Sequence, residues 1–130
     1  MVKVIIDEDC GNAPKKQYIK EFLIASADAN IGAAVSMVTD DIHLEIPGYK
    51  SVHGKGEATV LLTADSSQSK MRELVVSNIL SHGDRCAANG IFRFEDGGEV
   101  AFCGIYVFNG HAANAKLKEI TIYSVQLPMK

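Results

Sequence analysis

Three side chains in this sequence have the chemistry to move a proton or to hold a polar group of a ligand: Tyr49, His53 and Tyr106. An imidazole titrates near neutral pH, so His53 can act as an acid or a base, while a phenol can donate a hydrogen bond. The alternative for His53 is that it only satisfies its own hydrogen bonds, as most buried polar groups do. Tyr106 has the same alternative, since a core tyrosine with a bonded hydroxyl is common.

A predicted β-hairpin around Pro47-Gly48 positions two of these side chains. The residues before the turn alternate between apolar and polar, which is typical of a half-buried strand. The apolar ones are Ile42, Leu44 and Ile46. With a two-residue turn, position 46 pairs with position 49, so Tyr49 and His53 share the apolar face. Glu45 then lies opposite Lys50 on the wet face, where the two can form an ion pair.

Helical patterns fill the first half of the chain. Asn12 followed by Pro14 favours the start of a helix, and an apolar stripe predicts that this helix runs to about residue 29. Asn30 is expected to cap a second, shorter helix. That helix should stop where Asp40-Asp41 is expected to cap a turn. A third helix is predicted after Gly54, before a polar, serine-rich stretch.

Strand patterns fill most of the second half, which predicts a long antiparallel meander. The predicted strands are Met71–Ser81, Arg85–Glu95, Glu99–Phe108 and Leu117–Leu127. The strand that ends at Phe108 is apolar on both faces, so it must be covered twice, and the helices supply only one cover. We therefore expect a homodimer packed through the outer face of the sheet. Gly104 in this strand allows a bend or the close approach of a ligand.

Composition narrows the classes of protein that this chain can represent. Its 130 residues predict a single domain over positions 1–130, and its 47% hydrophobic content is typical of a globular protein. The net charge of −3 and the scattered basic residues argue against a nucleic-acid partner. No apolar segment approaches the roughly 20 residues of a membrane span, and the apolar run at the start is too short for a secretory signal.

Cysteine and histidine usage gives two further expectations. The three cysteines are an odd number without a CxxC spacing, so a reduced, cytoplasmic setting is expected. No HxxxH motif and no His/Cys/carboxylate cluster indicates a metal, and no nucleotide motif is complete. We therefore expect no metal and no cofactor.

The order of the predicted elements resembles the nuclear transport factor 2-like superfamily, which includes ketosteroid isomerase and the SnoaL-like polyketide cyclases. The resemblance covers positions 14 to 126, with Ser36-Met37-Val38-Thr39-Asp40-Asp41-Ile42 and Val52-His53-Gly54-Lys55 in place. The opening Cys10-Gly11-Asn12-Ala13-Pro14-Lys15-Lys16 also resembles small bacterial members of uncharacterised function. The resemblance implies an α+β, cone-shaped, cystatin-like fold. In it three N-terminal helices pack in a curved, mostly antiparallel sheet around an apolar cavity.

The resemblance also indicates where the isomerase-like members keep their catalytic groups. In those enzymes a carboxylate moves the proton, while a tyrosine and a protonated carboxyl hold the oxyanion. The corresponding positions here are Ile46, Phe22 and Gly104, so all three groups are missing. Only a hairpin shifted by one residue, which would bring in Glu45, would change this conclusion.

Two functions follow as hypotheses. The first is the binding of a small apolar molecule, with proton-transfer chemistry such as isomerisation, dehydration or cyclisation if the protein is an enzyme. Tyr49, His53 and Tyr106 would supply its polar contacts. The expected lining of the cavity is Tyr18, Phe22, Ile46, Phe102, Gly104, Ile120 and Ser124. The second is a non-catalytic module that associates with another protein through its sheet.

Overall fold

The computed structural model describes residues 2–6, 13–66, 70–112 and 114–128, without the side chains of residues 63–66. The described part forms three helices and seven strands. In chain order they are β1 (Lys3–Ile6), α1 (Pro14–Ala27), α2 (Ile31–Ser36), β2 (Val38–Ile46), β3 (Lys50–His53), α3 (Lys55–Ser66), β4 (Met71–His82), β5 (Arg85–Phe94), β6 (Glu99–Phe108) and β7 (Leu117–Gln126). None of these helices is long and apolar enough to cross a membrane.

One sheet contains all seven strands, in the order β1-β4-β5-β6-β7-β2-β3. The antiparallel meander from β4 to β7 confirms the prediction, and the β2–β3 hairpin is also antiparallel. Two pairs are parallel, β1 with β4 and β2 with β7. The sheet is therefore mixed but mostly antiparallel. Strand β1 was not predicted, because four residues are too short for a clear pattern.

The sheet curves around the three helices. Helix α1 packs on β4 and β5, whereas α3 packs on β2 and β3 at the opposite end of the strand order. Since α2 contacts both α1 and α3, one connected helical layer reaches both ends of a single sheet, which must bend to meet it. A register shift between Val76 and Asn78 in β4 adds to this bend. The predicted α+β cone, with its helices packed in a curved sheet, is confirmed.

The helix ends agree only partly with the predictions. Asn30 caps α2, because its side chain accepts a hydrogen bond from the backbone N–H of Ala33 at 3.3 Å. Ala13 occupies the N-cap position of α1, and the predicted cap Asn12 lies outside the described residues. The turn predicted at Asp40-Asp41 is wrong, because β2 already begins at Val38 and both carboxylates project from that strand into solvent.

The predicted hairpin register is wrong by one residue. The backbone N–H of Tyr49 donates to the carbonyl of Ile46 at 2.9 Å, and Gly48 has a φ of 81°, as in a type II turn with proline second. A type II turn does not match the twist of the strands, so Tyr49 joins the loop. Position 46 therefore pairs with Lys50.

The shifted register also changes the partner of Glu45. Glu45 lies opposite Ser51, so the predicted cross-strand ion pair with Lys50 is wrong. Val52 now shares a face with Leu44, and both side chains are buried. Glu45 remains on the opposite face, as expected.

A close approach inside β6 depends on Gly104. A Cβ atom built on Gly104 would lie closer than 3.0 Å to the phenol ring of Tyr106, which projects from the same face two residues later. The ring is completely buried, so the added Cβ atom cannot simply turn the ring out into solvent. Gly104 is therefore required by packing.

We predict that Gly104→Ala lowers the free energy of unfolding by about 1–3 kcal/mol, because the added methyl group overpacks the core. Chemical denaturation of the purified variant measures the change. Gly110→Ala is the matched control, since a Cβ atom there meets nothing within 4 Å, and we expect a change below about 0.5 kcal/mol. Equal stability of Gly104→Ala and the wild type would contradict the packing described here.

Candidate functional site

The candidate site lies on the inner face of the sheet, which is the face toward the helices. Its centre is Tyr106, whose neighbours in the sheet are Cys86 on β5 and Ile120 on β7. The ring of Phe22 on α1 meets the Tyr106 ring edge to face, with 6.4 Å between centroids. Tyr106 is 0% exposed. The surroundings of its ring are therefore apolar and dry.

The hydroxyl of Tyr106 has no hydrogen-bond partner among the described residues, although it is buried. Thr39 Oγ1 is the other buried side-chain atom in the described part without one. Burial raises the pKa of Tyr106 well above its usual value, and the nearby Cys103 and Cys86 act in the same direction. The phenol is therefore neutral, and it offers a hydrogen-bond donor inside the core.

The inner face becomes more open from Tyr106 toward the β5–β6 turn. The Tyr106 ring lies back over Gly104, so its hydroxyl points toward this end of the strand. Beyond it, the buried Phe102 stacks on the half-buried Phe92, with 4.3 Å between ring centroids. Ile122, which pairs with Gly104 across β7, is also half-buried. A phenol hydroxyl thus lies behind a partly open apolar wall.

Comparison with solved structures identifies this architecture. A nuclear transport factor 2-like protein of unknown function from Burkholderia xenovorans superposes with a TM-score of 0.73 and 17% identity, covering 94% of this chain and 91% of that one. A second such protein, from Cytophaga hutchinsonii, gives a TM-score of 0.64 and 20% identity, with 85% and 98% covered. The chain has the nuclear transport factor 2-like fold.

An enzyme also shares this fold. A LEH-like epoxide hydrolase from M. tuberculosis superposes with a TM-score of 0.70 and 14% identity, covering 85% of this chain and 77% of that one. No protein-family model matches the chain, and no curated protein matches it. These similarities define the fold, and the chemistry has to be inferred from the residues of this chain.

Most of the residues predicted to line the cavity of the nuclear transport factor 2-like fold lie on the inner face. Phe22, Phe102, Gly104 and Ile120 are buried there, and Ile46 is half-buried beside them. Ser124 pairs with Phe102 on this face but is exposed. Their contact with a ligand stays a prediction.

Tyr18 belongs to a different part of the core. Its hydroxyl donates a hydrogen bond to the carbonyl of Met37 at 2.6 Å, and its ring packs edge to face on Phe108, with 5.1 Å between centroids. Burial raises the pKa of Tyr18, and the nearby Glu21 contributes. Because its hydroxyl already has a partner, Tyr18 joins α1 to the end of α2 and has no donor left for a ligand.

The predicted positions of Tyr49 and His53 are wrong, because the hairpin register differs by one residue. Tyr49 is 66% exposed in the loop. His53 is exposed on the outer face, where its ring stacks on His43 with 4.2 Å between centroids. Neither side chain lies near Tyr106. The structure therefore brings together only one of the three polar candidates and the apolar wall.

Sequence reasoning missed a charged cluster on the outer side of the sheet. Glu73 is 7% exposed and binds Arg93, whose Nε also donates to Glu99 at 2.7 Å. Lys3 on β1 lies 3.9 Å from Glu73. These side chains come together only through strand pairing, so their spacing along the chain gave no signal. The cluster is internally paired, and the described residues contain no group of three or more His, Cys, Asp or Glu that could hold a metal ion.

Two tyrosine substitutions compare the effect on stability of removing a hydroxyl that has a hydrogen-bond partner, in Tyr18, and one that has none among the described residues, in Tyr106. We predict that Tyr106→Phe raises the free energy of unfolding by about 1 kcal/mol, because a buried hydroxyl without a partner is costly. Tyr18→Phe should lower it by about 1–2 kcal/mol, since the carbonyl of Met37 loses its donor. Chemical denaturation measures both. A loss of stability in Tyr106→Phe as large as that in Tyr18→Phe would show that the Tyr106 hydroxyl has a partner.

Proposed function

We propose that this protein binds a small, largely apolar molecule that carries a hydrogen-bond acceptor. The observation that carries the proposal is the Tyr106 hydroxyl, which is buried and has no partner among the described residues. An unpaired buried hydroxyl costs about 1–3 kcal/mol, and a ligand oxygen that accepts its hydrogen bond recovers that cost. Such a site is mostly apolar with one polar group that orients the ligand, which is the usual composition of a small-molecule pocket.

The apolar wall beside Tyr106 supports this ligand class. Phe92, Phe102 and Ile122 stand between the hydroxyl and the open end of the inner face, and two of them are half-buried. A ligand that enters from this end replaces partial solvent exposure with apolar contact, which favours binding by about 25 cal/mol for each Å² removed from water. The acceptor of the ligand then meets the phenol, and its hydrocarbon part meets the wall.

The charge distribution favours binding over proton transfer. Glu73 is the only charged side chain that is buried in the described part of the chain, and it binds Arg93 on the outer side of the sheet. The raised pKa of Tyr106 keeps its hydroxyl protonated, so it donates a hydrogen bond but does not form the phenolate that could act as a base. The structural neighbour from M. tuberculosis is named as an epoxide hydrolase. The oxygen of an epoxide accepts hydrogen bonds, and the rest of such a molecule can be apolar. An apolar ligand with one hydrogen-bond acceptor is therefore compatible with this fold.

A matched pair of probes tests the role of the hydroxyl. Cyclohexanone and methylenecyclohexane have nearly the same shape, but only the ketone accepts a hydrogen bond. We predict that the wild type binds the ketone about 3- to 10-fold more tightly, as one hydrogen bond would give, and that Tyr106→Phe removes the preference. Titrations followed by the backbone amide shifts of Gly104 and Ile122 measure both affinities.

Tyr18→Phe is the control, because it removes a core hydroxyl that already has a partner. We expect this variant to keep the preference for the ketone. The proposal is wrong if neither probe shifts the inner-face amides. It is also wrong if the preference persists in Tyr106→Phe.

A further inference from the structure

The inner face of the sheet carries a lysine as well as the Tyr106 hydroxyl. Lys50 pairs with Ile46 across the β2–β3 hairpin, and paired residues of two antiparallel strands project from the same face. The next pair on that face is Leu44 with Val52, and both of these side chains are buried in the core. Lys50 therefore projects from the inner face, on the edge strand β3.

Strand pairing places Lys50 in the same row of the sheet as the hydroxyl of Tyr106, which lies over Gly104. Strands β2 and β7 are parallel, and position 44 pairs with position 120, so position 46 comes level with position 122. In the strand order β6, β7, β2, β3 the row is Gly104, Ile122, Ile46 and Lys50. Adjacent strands are about 4.8 Å apart, so about 14 Å of backbone separates the two ends of this row.

Lys50 is the one charged residue in the part of the inner face that surrounds the hydroxyl. The four rows from Tyr106 to Val100 contain no other charged residue at the strand pairs that the structure describes. The ammonium group of Lys50 also has no ion pair with a described residue, whereas Lys55 on α3 lies 3.4 Å from Asp40. A single cation on an otherwise uncharged, concave surface attracts an anion.

We propose that the ligand of this site is a small, apolar carboxylic acid with its hydrogen-bond acceptor at the end opposite to the carboxylate. This inference rests on the proposed function and adds the chemical class of the ligand. The acceptor meets the hydroxyl of Tyr106, and the carboxylate pairs with the ammonium group of Lys50. The hydrocarbon part lies over Ile122 and Ile46, which are half-buried, so binding removes apolar surface from water.

The surroundings of Lys50 favour a carboxylate over a phosphate. One lysine compensates one negative charge, whereas a phosphate group carries up to two at neutral pH. The carboxylate of Glu45 does not neutralise the lysine, because Glu45 projects from the outer face, where it lies 3.7 Å from His43. The site therefore has a positive charge to offer to the ligand.

A matched pair of ketones tests the role of the charge. The probes are 3-(4-oxocyclohexyl)propanoic acid and its primary amide, which share the ketone and the shape but differ in charge. Because Lys50 is exposed, its ion pair stays in contact with water, and we expect the wild type to bind the acid about 2- to 5-fold more tightly. The preference should disappear in about 0.5 M NaCl, since salt screens an exposed pair. Titrations followed by the backbone amide shifts of Ile46 and Ile122 measure the affinities.

Three variants assign the preference to Lys50. Lys50→Met keeps a long side chain without its charge and should bind the acid and the amide equally well. Lys50→Glu should reverse the order, so that the amide binds more tightly than the acid. Lys116→Met is the matched control, because it removes the same charge from an exposed position before the opposite end of β7, and it should keep the preference of the wild type.

Cyclohexanone, which has no charge, separates this inference from the proposed function. If the wild type binds cyclohexanone but binds the acid and the amide equally well, the proposed function stands and the anionic ligand class is wrong. The class is also wrong if the preference for the acid persists in Lys50→Met, or if Lys116→Met removes it. If cyclohexanone, the acid and the amide all leave the inner-face amides unmoved, both proposals are wrong.

Discussion

The structure depends on the contact in which the ring of Tyr106 lies over Gly104 on its own strand. Any side chain at position 104 would occupy the space of the ring, so this contact requires glycine in the middle of the central strand. The contact turns the phenol along β6 and buries its hydroxyl among apolar groups under Phe22. A hydrogen-bond donor without a partner among the described residues is thereby fixed inside the core.

The two faces of β6 have different surroundings. On the inner face, Tyr106 and Phe102 are covered by the helices or by neighbouring rings. On the outer face, Ile105 and Cys103 remain exposed, because the helices can cover only one side of a single sheet. The strand is therefore apolar on both sides, with a buried inner face and an outer face that stays open to solvent at Cys103 and Ile105.

Periodicity predicted most of the fold, because helices and long strands bury one face with a regular spacing. The meander, the cap at Asn30 and the inner position of Phe22 followed from this pattern. The register of the hairpin was predicted wrongly, because the geometry of the turn and not the pattern of the strands places Tyr49 in the loop. This shift by one residue places His53 on the outer face of the sheet. That the Tyr106 hydroxyl has no partner in the described part of the chain could not be predicted, since this depends on every neighbour in three dimensions.

The most direct test of this account is a pH titration of the Tyr106 ring, followed by the ¹³Cζ resonance of labelled tyrosine in the folded protein. A hydroxyl sealed in an apolar core must keep its proton where a solvated one loses it. The comparison is made at a pH about one unit above the ordinary tyrosine pKa of about 10. At that pH the account predicts that the Tyr106 resonance keeps the position of the neutral phenol, while free tyrosine in the same sample is ionised. A Tyr106 resonance that titrates together with free tyrosine would contradict it.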